Sequence, residues 1–430
     1  MPAGVLLLIL AISHERIEMM QMQNVDVVIV GGGMVGLGLA AALKNSALTI
    51  AIVEGQLPDT QLGEAPDNRV SALSLASQRI LQGVGAWDGI VARRLQAYDS
   101  MAVWEQDSFG HIGFDAASLR QPALGHIVEN RVIQLALLDA IAGANNISLL
   151  TPARAASLQS SAAGALLLLE DGRALSARVV VAADGAHSWV RRQADIPLTS
   201  WDYGHHALVA TVRSAEPHEA VARQIFTPDG PLAFLPLWQP DLCSIVWSVP
   251  AVRAEALCAL DDEGFNRQLT AAFDGRLGLC KVEGARSAIP LTARYARDFA
   301  RERLVLVGDA AHTIHPLAGQ GVNLGLLDAA ALAEQLLKSQ SAGADIGLLA
   351  NLRGYERWRK SEAARMLAAM EGLKRLFGGS HPLKKLVRGV GLRAVDGLAP
   401  LKQSVIRAAM GLEGELPALA KGNNLPTRPK

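Results

Sequence analysis

The sequence contains few cysteines and few aromatic residues, and its charges balance. Only three of its 430 residues are cysteine and 4% are aromatic. Cys243, Cys258 and Cys280 form no C-x-x-C pair, which argues against structural disulfides, a zinc site and a disulfide-reductase centre. The 41 basic and 41 acidic residues cancel, so no overall positive field favours nucleic acid as a partner.

Long apolar runs are also missing, although the mean hydropathy of +0.21 is high for a soluble protein. No stretch reaches the roughly 18 apolar residues that a membrane-spanning helix needs. The apolar run at residues 5–12 lacks a preceding basic segment and a following cleavage site, so it is a poor signal peptide. We expect residues 1–21 to be a disordered extension or a misassigned start; the alternative is a membrane-adhering arm.

Glycine is abundant, and three glycines near the front form a G-x-G-x-x-G turn between a β-branched apolar run and an Ala/Leu-rich helix pattern. Gly31 allows a tight turn, Gly33 lets backbone approach a pyrophosphate, and Gly36 lets the helix pack on the strand. A second apolar run ends at Glu54, where a carboxylate can accept the ribose hydroxyls of an adenosine. The pattern predicts a dinucleotide site, and Glu54 argues against a 2′-phosphate there.

Two Asp/Gly turns lie farther along the chain, each after an apolar run. Asp184 begins the phrase D-G-x-x-S-x-x-R. Gly308 and Asp309 begin the phrase G-D-A-A-H, which continues through Pro316, Gly319, Gln320, Gly321 and Asn323. With the glycine turn, these phrases resemble the motif set of single-component flavoprotein aromatic hydroxylases.

Within that superfamily the chain resembles the ubiquinone-biosynthesis hydroxylases of the UbiH/UbiF/UbiI (VisC) group. Supporting stretches lie at residues 69–74, 126–130, 231–237 and 243–248. The phrase at residues 201–211 is similar to the UbiI member, which hydroxylates a polyprenylphenol. The resemblance covers about residues 22 to 412.

The resemblance implies an α/β fold. It consists of a Rossmann-like FAD-binding domain of the aromatic hydroxylase type, an inserted mixed β-sheet substrate domain and a C-terminal helical region. We expect the FAD-binding domain to be discontinuous, over residues 22–95, 125–195 and 285–345. Residues 96–124 and 196–284 would form the substrate domain, and residues 346–430 the helical region.

The resemblance also implies a cofactor site. Asp309 is expected to bond the ribityl hydroxyls, and Pro316, Gly319, Gln320 and Gly321 to form the catalytic loop at the flavin edge. The expected FAD-binding residues are Gly31, Gly33, Gly36, Glu54, Arg69, Asn130, Asp184, Gly308, Asp309, Gly321 and Asn323.

Several of these assignments have alternatives. Arg69 could instead form a surface salt bridge, and Gln134 could take the role given to Asn130. His312 could contact the flavin or serve the structure alone. No residue is assignable as the base that deprotonates the substrate, and no set of residues has the spacing of a metal site.

The implied function is an FAD-dependent monooxygenase that hydroxylates the ring of a polyprenylphenol in ubiquinone biosynthesis. It would act through a flavin C4a-hydroperoxide, with O2 and with a reductant that is either transiently bound NAD(P)H or another protein. The alternatives are another aromatic substrate, or a catalytically silent FAD-binding subunit of a biosynthetic complex. We expect a cytoplasmic homo-oligomer, with peripheral contact at the inner membrane face as a further option.

Residues 371–411 are strongly basic. They hold eight Lys or Arg and two acidic residues, a net charge of +6, interleaved with Leu, Phe and Val. One interpretation is a solvated helical face. The other is contact with an anionic membrane or with a Ubi-type enzyme complex.

Overall fold

The computed structural model describes residues 22–314, 321–377 and 398–425. The predicted extension at residues 1–21 lies outside them. The strands are β1 Met22–Val30, β2 Ile50–Val53, β3 Val70–Ser74, β4 Gln96–Tyr98, β5 Ser100–Glu105, β6 His111–Asp115, β7 Gly125–Glu129, β8 Ile147–Leu150, β9 Ala155–Ser161, β10 Gly164–Leu169, β11 Ala174–Ala182, β12 Leu198–Ser214, β13 Val221–Thr227, β14 Gly230–Pro236, β15 Leu242–Pro250, β16 Cys280–Ala296, β17 Ala300–Arg301, β18 Leu304–Leu306 and β19 His312–Thr313. The helices are α1 Met34–Leu43, α2 Leu75–Gly83, α3 Trp87–Arg93, α4 Asn130–Ile141, α5 Trp189–Gln193, α6 Ala251–Ala259, α7 Asp262–Ala272, α8 Gly321–Ser341, α9 Leu349–Phe377 and α10 Ala399–Ala409.

A mainly parallel sheet has the strand order β17-β18-β11-β1-β2-β8. The central strand β1 pairs in parallel with β11 on one side and with β2 on the other. Val27, Val28 and Ile29 in β1 are fully buried, as expected for a strand that is covered on both faces. The predicted α/β fold with a Rossmann-like sheet is confirmed.

The strand β1 begins earlier than its apolar pattern predicts. The β-branched run starts at Val25, but Met22, Gln23 and Asn24 also pair with the long strand β11. These three residues are exposed, so the backbone ladder rather than burial extends the strand. A hydrophobic pattern cannot report such an extension.

The second large sheet is mixed, as predicted. Its order is β19-β16-β12-β15-β14-β13-β5-β6, and β13 pairs with β5 in parallel while its other pairs are antiparallel. On one face, Leu208, Ile245 and Trp247 pack with Leu257 of α6 and with the apolar side of α7. On the other face, Val209 joins the core of the parallel sheet. Both faces of the mixed sheet are therefore covered, because α6 and α7 lie on the side away from the parallel sheet.

The helices α8 and α9 pack behind the parallel sheet. A Cβ added to Gly325 of α8 would lie 2.6 Å from Cγ2 of Val35, so α8 and α1 approach closely. The Tyr355 hydroxyl of α9 donates a hydrogen bond to the carbonyl of Leu306 at 2.8 Å.

In the part of the chain that the structure describes, no helix is long and apolar enough to cross a membrane. The domain boundaries given above stay a prediction.

Candidate active site

The glycine turn follows β1 and is built by close packing. Gly31 has φ +111°, and a Cβ there would lie 2.4 Å from the carbonyl oxygen of Ala183. A Cβ on Gly36 would lie 2.0 Å from the carbonyl oxygen of Gly31. A Cβ on Gly33 would meet no atom of the described part of the chain within 4 Å. Packing therefore requires glycine at Gly31 and Gly36, whereas Gly33 leaves open space beside the backbone.

That open space lies at the N-terminus of α1. The Leu37 amide is bonded to the carbonyl of Gly33 at 2.9 Å, and the amides before it belong to the unbonded first turn. No acidic residue lies in this turn. Free amides and the positive end of the helix dipole together form a site for an anion such as a pyrophosphate.

Glu54 follows β2 and contacts the glycine turn. Its Oε2 accepts a hydrogen bond from the Gly32 amide at 2.5 Å, and its Oε1 accepts one from the Gln56 amide at 2.9 Å. The half-buried carboxylate keeps further lone pairs, which could accept the hydroxyls of a ribose. Gln134 holds the same turn from the other side, since its Nε2 donates to the Gly32 carbonyl at 2.7 Å.

Asp184 caps a short helix. Its Oδ2 accepts hydrogen bonds from the amides of Trp189 at 2.7 Å and Val190 at 3.1 Å, at the start of α5. Its Oδ1 is buried and has no hydrogen-bond partner among the described residues. The sequence indicated a cofactor role for Asp184 but not this cap, and the cofactor role stays a prediction.

Arg191 joins the two Asp/Gly turns. Its buried guanidinium donates from Nη1 to the carbonyl of Ala310 at 2.8 Å and from Nη2 to the carbonyl of Ala186 at 3.1 Å. The D-G-x-x-S-x-x-R phrase thereby fixes the position of the turn that carries Asp309.

The Asp309 side chain is accessible to solvent, although many protein atoms surround its carboxylate. Its side chain is exposed, yet desolvation by the surrounding atoms raises its pKa, against the opposing charges of Arg294 and Arg69. Within the residues that the structure describes, none of these three side chains forms a hydrogen bond or ion pair. The salt bridge considered for Arg69 is therefore not found there, and Asp309 is an accessible acceptor for hydroxyl groups.

The G-D turn rests on a buried charge network. Asp328 of α8 accepts from the Gly308 amide at 3.0 Å and pairs with His312 Nε2 at 2.6 Å. Its other oxygen pairs with Arg359 Nε of α9 at 2.6 Å. Burial alone would raise the pKa of Asp328, but His312 and Arg359 lower it on balance below its ordinary value. His312 thus supports the turn.

The predicted catalytic loop falls largely outside the described residues. Pro316, Gly319 and Gln320 lie outside them, so their placement at the flavin edge stays a prediction. Gly321 is the first residue of α8, and a Cβ there would meet no atom of the described residues within 4 Å.

The Asn323 side chain is engaged in the structure of the protein. Its Oδ1 accepts hydrogen bonds from the Ser74 amide at 3.0 Å and the Ser77 hydroxyl at 2.7 Å. Its Nδ2 donates to the Ala72 carbonyl at 2.8 Å. The amide group therefore connects α8 to β3 and α2. The contact of Asn323 with FAD stays a prediction.

Asn130 and Arg69 lie next to each other. The Asn130 amide donates to the Arg69 carbonyl at 3.0 Å, and Oδ1 of Asn130 accepts from the Ser71 hydroxyl at 2.6 Å. Asn130 is the first residue of α4, whereas Gln134 lies one turn on and bonds Gly32. Both candidates left by the sequence thus border the same region, in different roles.

These features fit a long cofactor with a pyrophosphate and hydroxyl-bearing arms. The α1 N-terminus suits the pyrophosphate, Glu54 a ribose and Asp309 a ribityl chain. Among the described residues, no group of three or more His, Cys, Asp or Glu is placed to hold a metal ion.

Comparisons with known proteins agree with this cofactor. The family described as "FAD binding domain" matches residues 24–369. The chain is 38% identical over 400 residues to "Ubiquinone hydroxylase UbiL" of Rhodospirillum rubrum, covering 92% of each chain. It is 36% identical over 391 residues to "3-demethoxyubiquinol 3-hydroxylase" of Escherichia coli, covering 91% of this chain and 99% of the other. The solved p-nitrophenol 4-monooxygenase PnpA of Pseudomonas putida has a similar fold, with a TM-score of 0.75 at 20% identity, over 92% of this chain and all of that one.

Proposed function

Because the chain belongs to the family of FAD-dependent hydroxylases of ubiquinone biosynthesis, we propose that it hydroxylates the aromatic ring of a polyprenylphenol. Family membership makes it a flavoprotein monooxygenase with FAD as cofactor, which sets aside the silent-subunit alternative. The finer likeness to the UbiI-type 2-polyprenylphenol hydroxylase is part of the proposal.

The observation that carries the substrate class is an apolar row on the mixed sheet. Val209, Val246 and Ala233 are neighbours across β12, β15 and β14. On that face Val209 and Val246 pack with the core of the parallel sheet, and Ala233 packs with Ala72 of β3 and Ile127 of β7. The row carries no charge. An uncharged ring with an isoprenoid tail would lose little solvation against it, whereas an aromatic acid would need a cationic partner there.

The residues of this chain would hold FAD along its length. The α1 N-terminus at Gly33 would bind the pyrophosphate, Glu54 the adenosine ribose and Asp309 the ribityl chain. When bound, FAD supplies the redox chemistry, accepting hydride and activating O2 at its C4a position. The protein's part is to orient the ring and to exclude water, with the apolar row as one wall.

We propose that the reductant is either transiently bound NAD(P)H or another protein, because the sequence contains a single G-x-G-x-x-G turn, which the following Glu54 assigns to FAD. We further propose that residues 371–411 contact an anionic membrane or a Ubi-type complex. In the described part of that segment, Leu398 and Val405 are exposed apolar residues and Arg407 is exposed. Replacing Lys384, Lys385 and Arg388 with Glu should reduce sedimentation with anionic vesicles; unchanged sedimentation would rule out the membrane contact.

Product analysis by mass spectrometry tests the function. Purified protein would receive FAD, a flavin reductant, air and either a short-chain prenylphenol or 4-hydroxybenzoate as the matched aromatic acid. We expect one added ring oxygen on the prenylphenol and none on the acid. Hydroxylation of the acid alone would favour the alternative substrate class, and peroxide release without product from either would count against both.

A further inference from the structure

Two proposed FAD-binding residues are joined by a segment without regular structure. Residues 55–68, here called the connecting segment, run from Glu54 to Arg69 and contain neither helix nor strand, although all of them are described. Backbone without a ladder or helix must be held by other contacts, because ordering each residue costs about 1–2 kcal/mol. The position of Arg69 therefore depends on what fixes this segment.

Arg94 forms the centre of those contacts. It lies just after α3 and pairs with Glu129 through two parallel hydrogen bonds, Nε to Oε1 at 2.5 Å and Nη2 to Oε2 at 2.8 Å. The Glu129 side chain is only 2% exposed. A bidentate pair at a buried carboxylate has a defined geometry, and losing the guanidinium would leave an uncompensated buried charge.

The Arg94–Glu129 pair forms hydrogen bonds with the second half of the connecting segment. Nη1 of Arg94 donates to the Gly63 carbonyl at 2.6 Å, and the Glu129 carboxylate accepts from the Asp67 amide at 2.8 Å. Arg131 adds an ion pair to the Asp67 carboxylate at 2.9 Å. These contacts fix the segment at positions that lie two to six residues before Arg69.

Arg94 and the connecting segment also contact the part of the protein that contains the mixed sheet. The Arg94 guanidinium lies over the ring of Trp238, 4.2 Å from its centroid, just beyond the end of β14. The Asn68 side chain donates to the carbonyl of Ala285 in β16 at 2.7 Å. The connecting segment is thus attached to the parallel-sheet part and to the mixed sheet at once.

We propose that Arg94 is a positioning residue for the cofactor. With Glu129 it holds the connecting segment, and through it Arg69, against bound FAD, and it keeps the segment docked on the mixed sheet. The proposal rests on FAD as the cofactor and is independent of which aromatic compound is hydroxylated.

The test compares Arg94→Gln with Arg93→Gln. Arg93 is the adjacent residue and pairs with exposed Asp139, so it is a matched control. Titrating apoprotein with FAD should show the dissociation constant of Arg94→Gln raised roughly tenfold or more, as expected for losing hydrogen bonds to a charged group. Arg93→Gln should stay within about twofold of wild type, because exposed pairs contribute little.

A second readout separates positioning from general destabilisation. At saturating FAD, iodide should quench the fluorescence of bound flavin more strongly in Arg94→Gln, and protease should cut within residues 55–68 faster. A purely structural role would lower the melting temperature and leave iodide quenching unchanged. Arg94→Lys, which keeps the charge without the two parallel bonds, should fall between wild type and Arg94→Gln.

Trp238→Leu covers the case in which Arg94→Gln does not fold. It leaves the ion pair intact and removes only the ring over the guanidinium, so FAD affinity should fall by a few fold. Unchanged affinity and quenching in Arg94→Gln would overturn the proposal. If that variant does not fold, the same result in Trp238→Leu would do so. Since no substrate is used, failure of the proposed hydroxylation would leave this test unaffected.

Discussion

Asp309 shows what a single residue contributes to the site. Its carboxylate is accessible, yet burial among protein atoms raises its pKa, and it has no hydrogen-bond partner among the described residues. A ligand that donates hydroxyl hydrogens would satisfy it. We therefore expect Asp309→Ala to weaken FAD binding roughly tenfold or more in a titration of the apoprotein. Asp171→Ala removes an exposed carboxylate paired with Arg173 and should leave FAD affinity unchanged; equal losses in both variants would contradict the role of Asp309.

His126 provides a pH prediction at the same scale. Burial against Trp87 lowers its pKa from 6.5 to about 4. Between these values the unfolded chain binds a proton that the folded chain does not, so the free energy of unfolding falls as pH drops from about 6.5 to about 4. The loss attributable to His126 is at most about 3 kcal/mol.

His126→Gln should therefore lose less stability than wild type over that pH interval in urea unfolding. The control is His187→Gln, which changes an exposed histidine. Parallel pH profiles for wild type and His126→Gln would show that His126 does not titrate as described.

Motif phrases predict the site residues but cannot show their hydrogen bonds. Gly31 and Gly36 were predicted with their reasons, because a turn and a close packing contact are local. Asn323 was expected at the cofactor, yet its amide bonds Ser74 and Ser77, about 250 residues earlier in the chain. A partner that distant in sequence leaves no local pattern.

At the scale of elements, the turn between β1 and α1 separates packing from ligand binding. Gly36→Ala places a Cβ against the carbonyl of Gly31, so α1 must move and both stability and FAD affinity should fall. Gly33→Ala meets no atom of the described residues within 4 Å, and Gly33 has φ −76°, so the apoprotein should keep its melting temperature.

Gly33→Ala should nevertheless lose FAD affinity tenfold or more, because its methyl group would occupy the space of the pyrophosphate. Melting of the apoproteins and FAD titration distinguish the two variants. Normal FAD binding by Gly33→Ala would place the pyrophosphate elsewhere.

The sequence predicts some helices and strands better than others. The parallel strands and α1 follow from β-branched runs and glycines. The 17-residue strands β12 and β16 carry polar and charged residues along much of their length, because only part of each strand is covered. Their full extent depends on pairing partners rather than on hydrophobic pattern.

At the scale of the whole molecule, the mixed sheet and the FAD-binding core meet at the apolar row. Val246→Asp would put a charge at this junction, and we expect it to reduce hydroxylation of a prenylphenol at least tenfold while FAD remains bound. Val252→Asp, at a position that is 78% exposed, is the matched control and should retain activity. Full activity of Val246→Asp would place the substrate away from this face.

The source of the inserted oxygen tests the central claim most directly. The purified protein would be supplied with FAD, reductant and short-chain prenylphenol under ¹⁸O₂ in ordinary water, and the product would be weighed by mass spectrometry. The account predicts one ¹⁸O atom per product molecule, dependent on FAD. Product oxygen taken from water, or bound FAD that turns over without any hydroxylated ring, would contradict it.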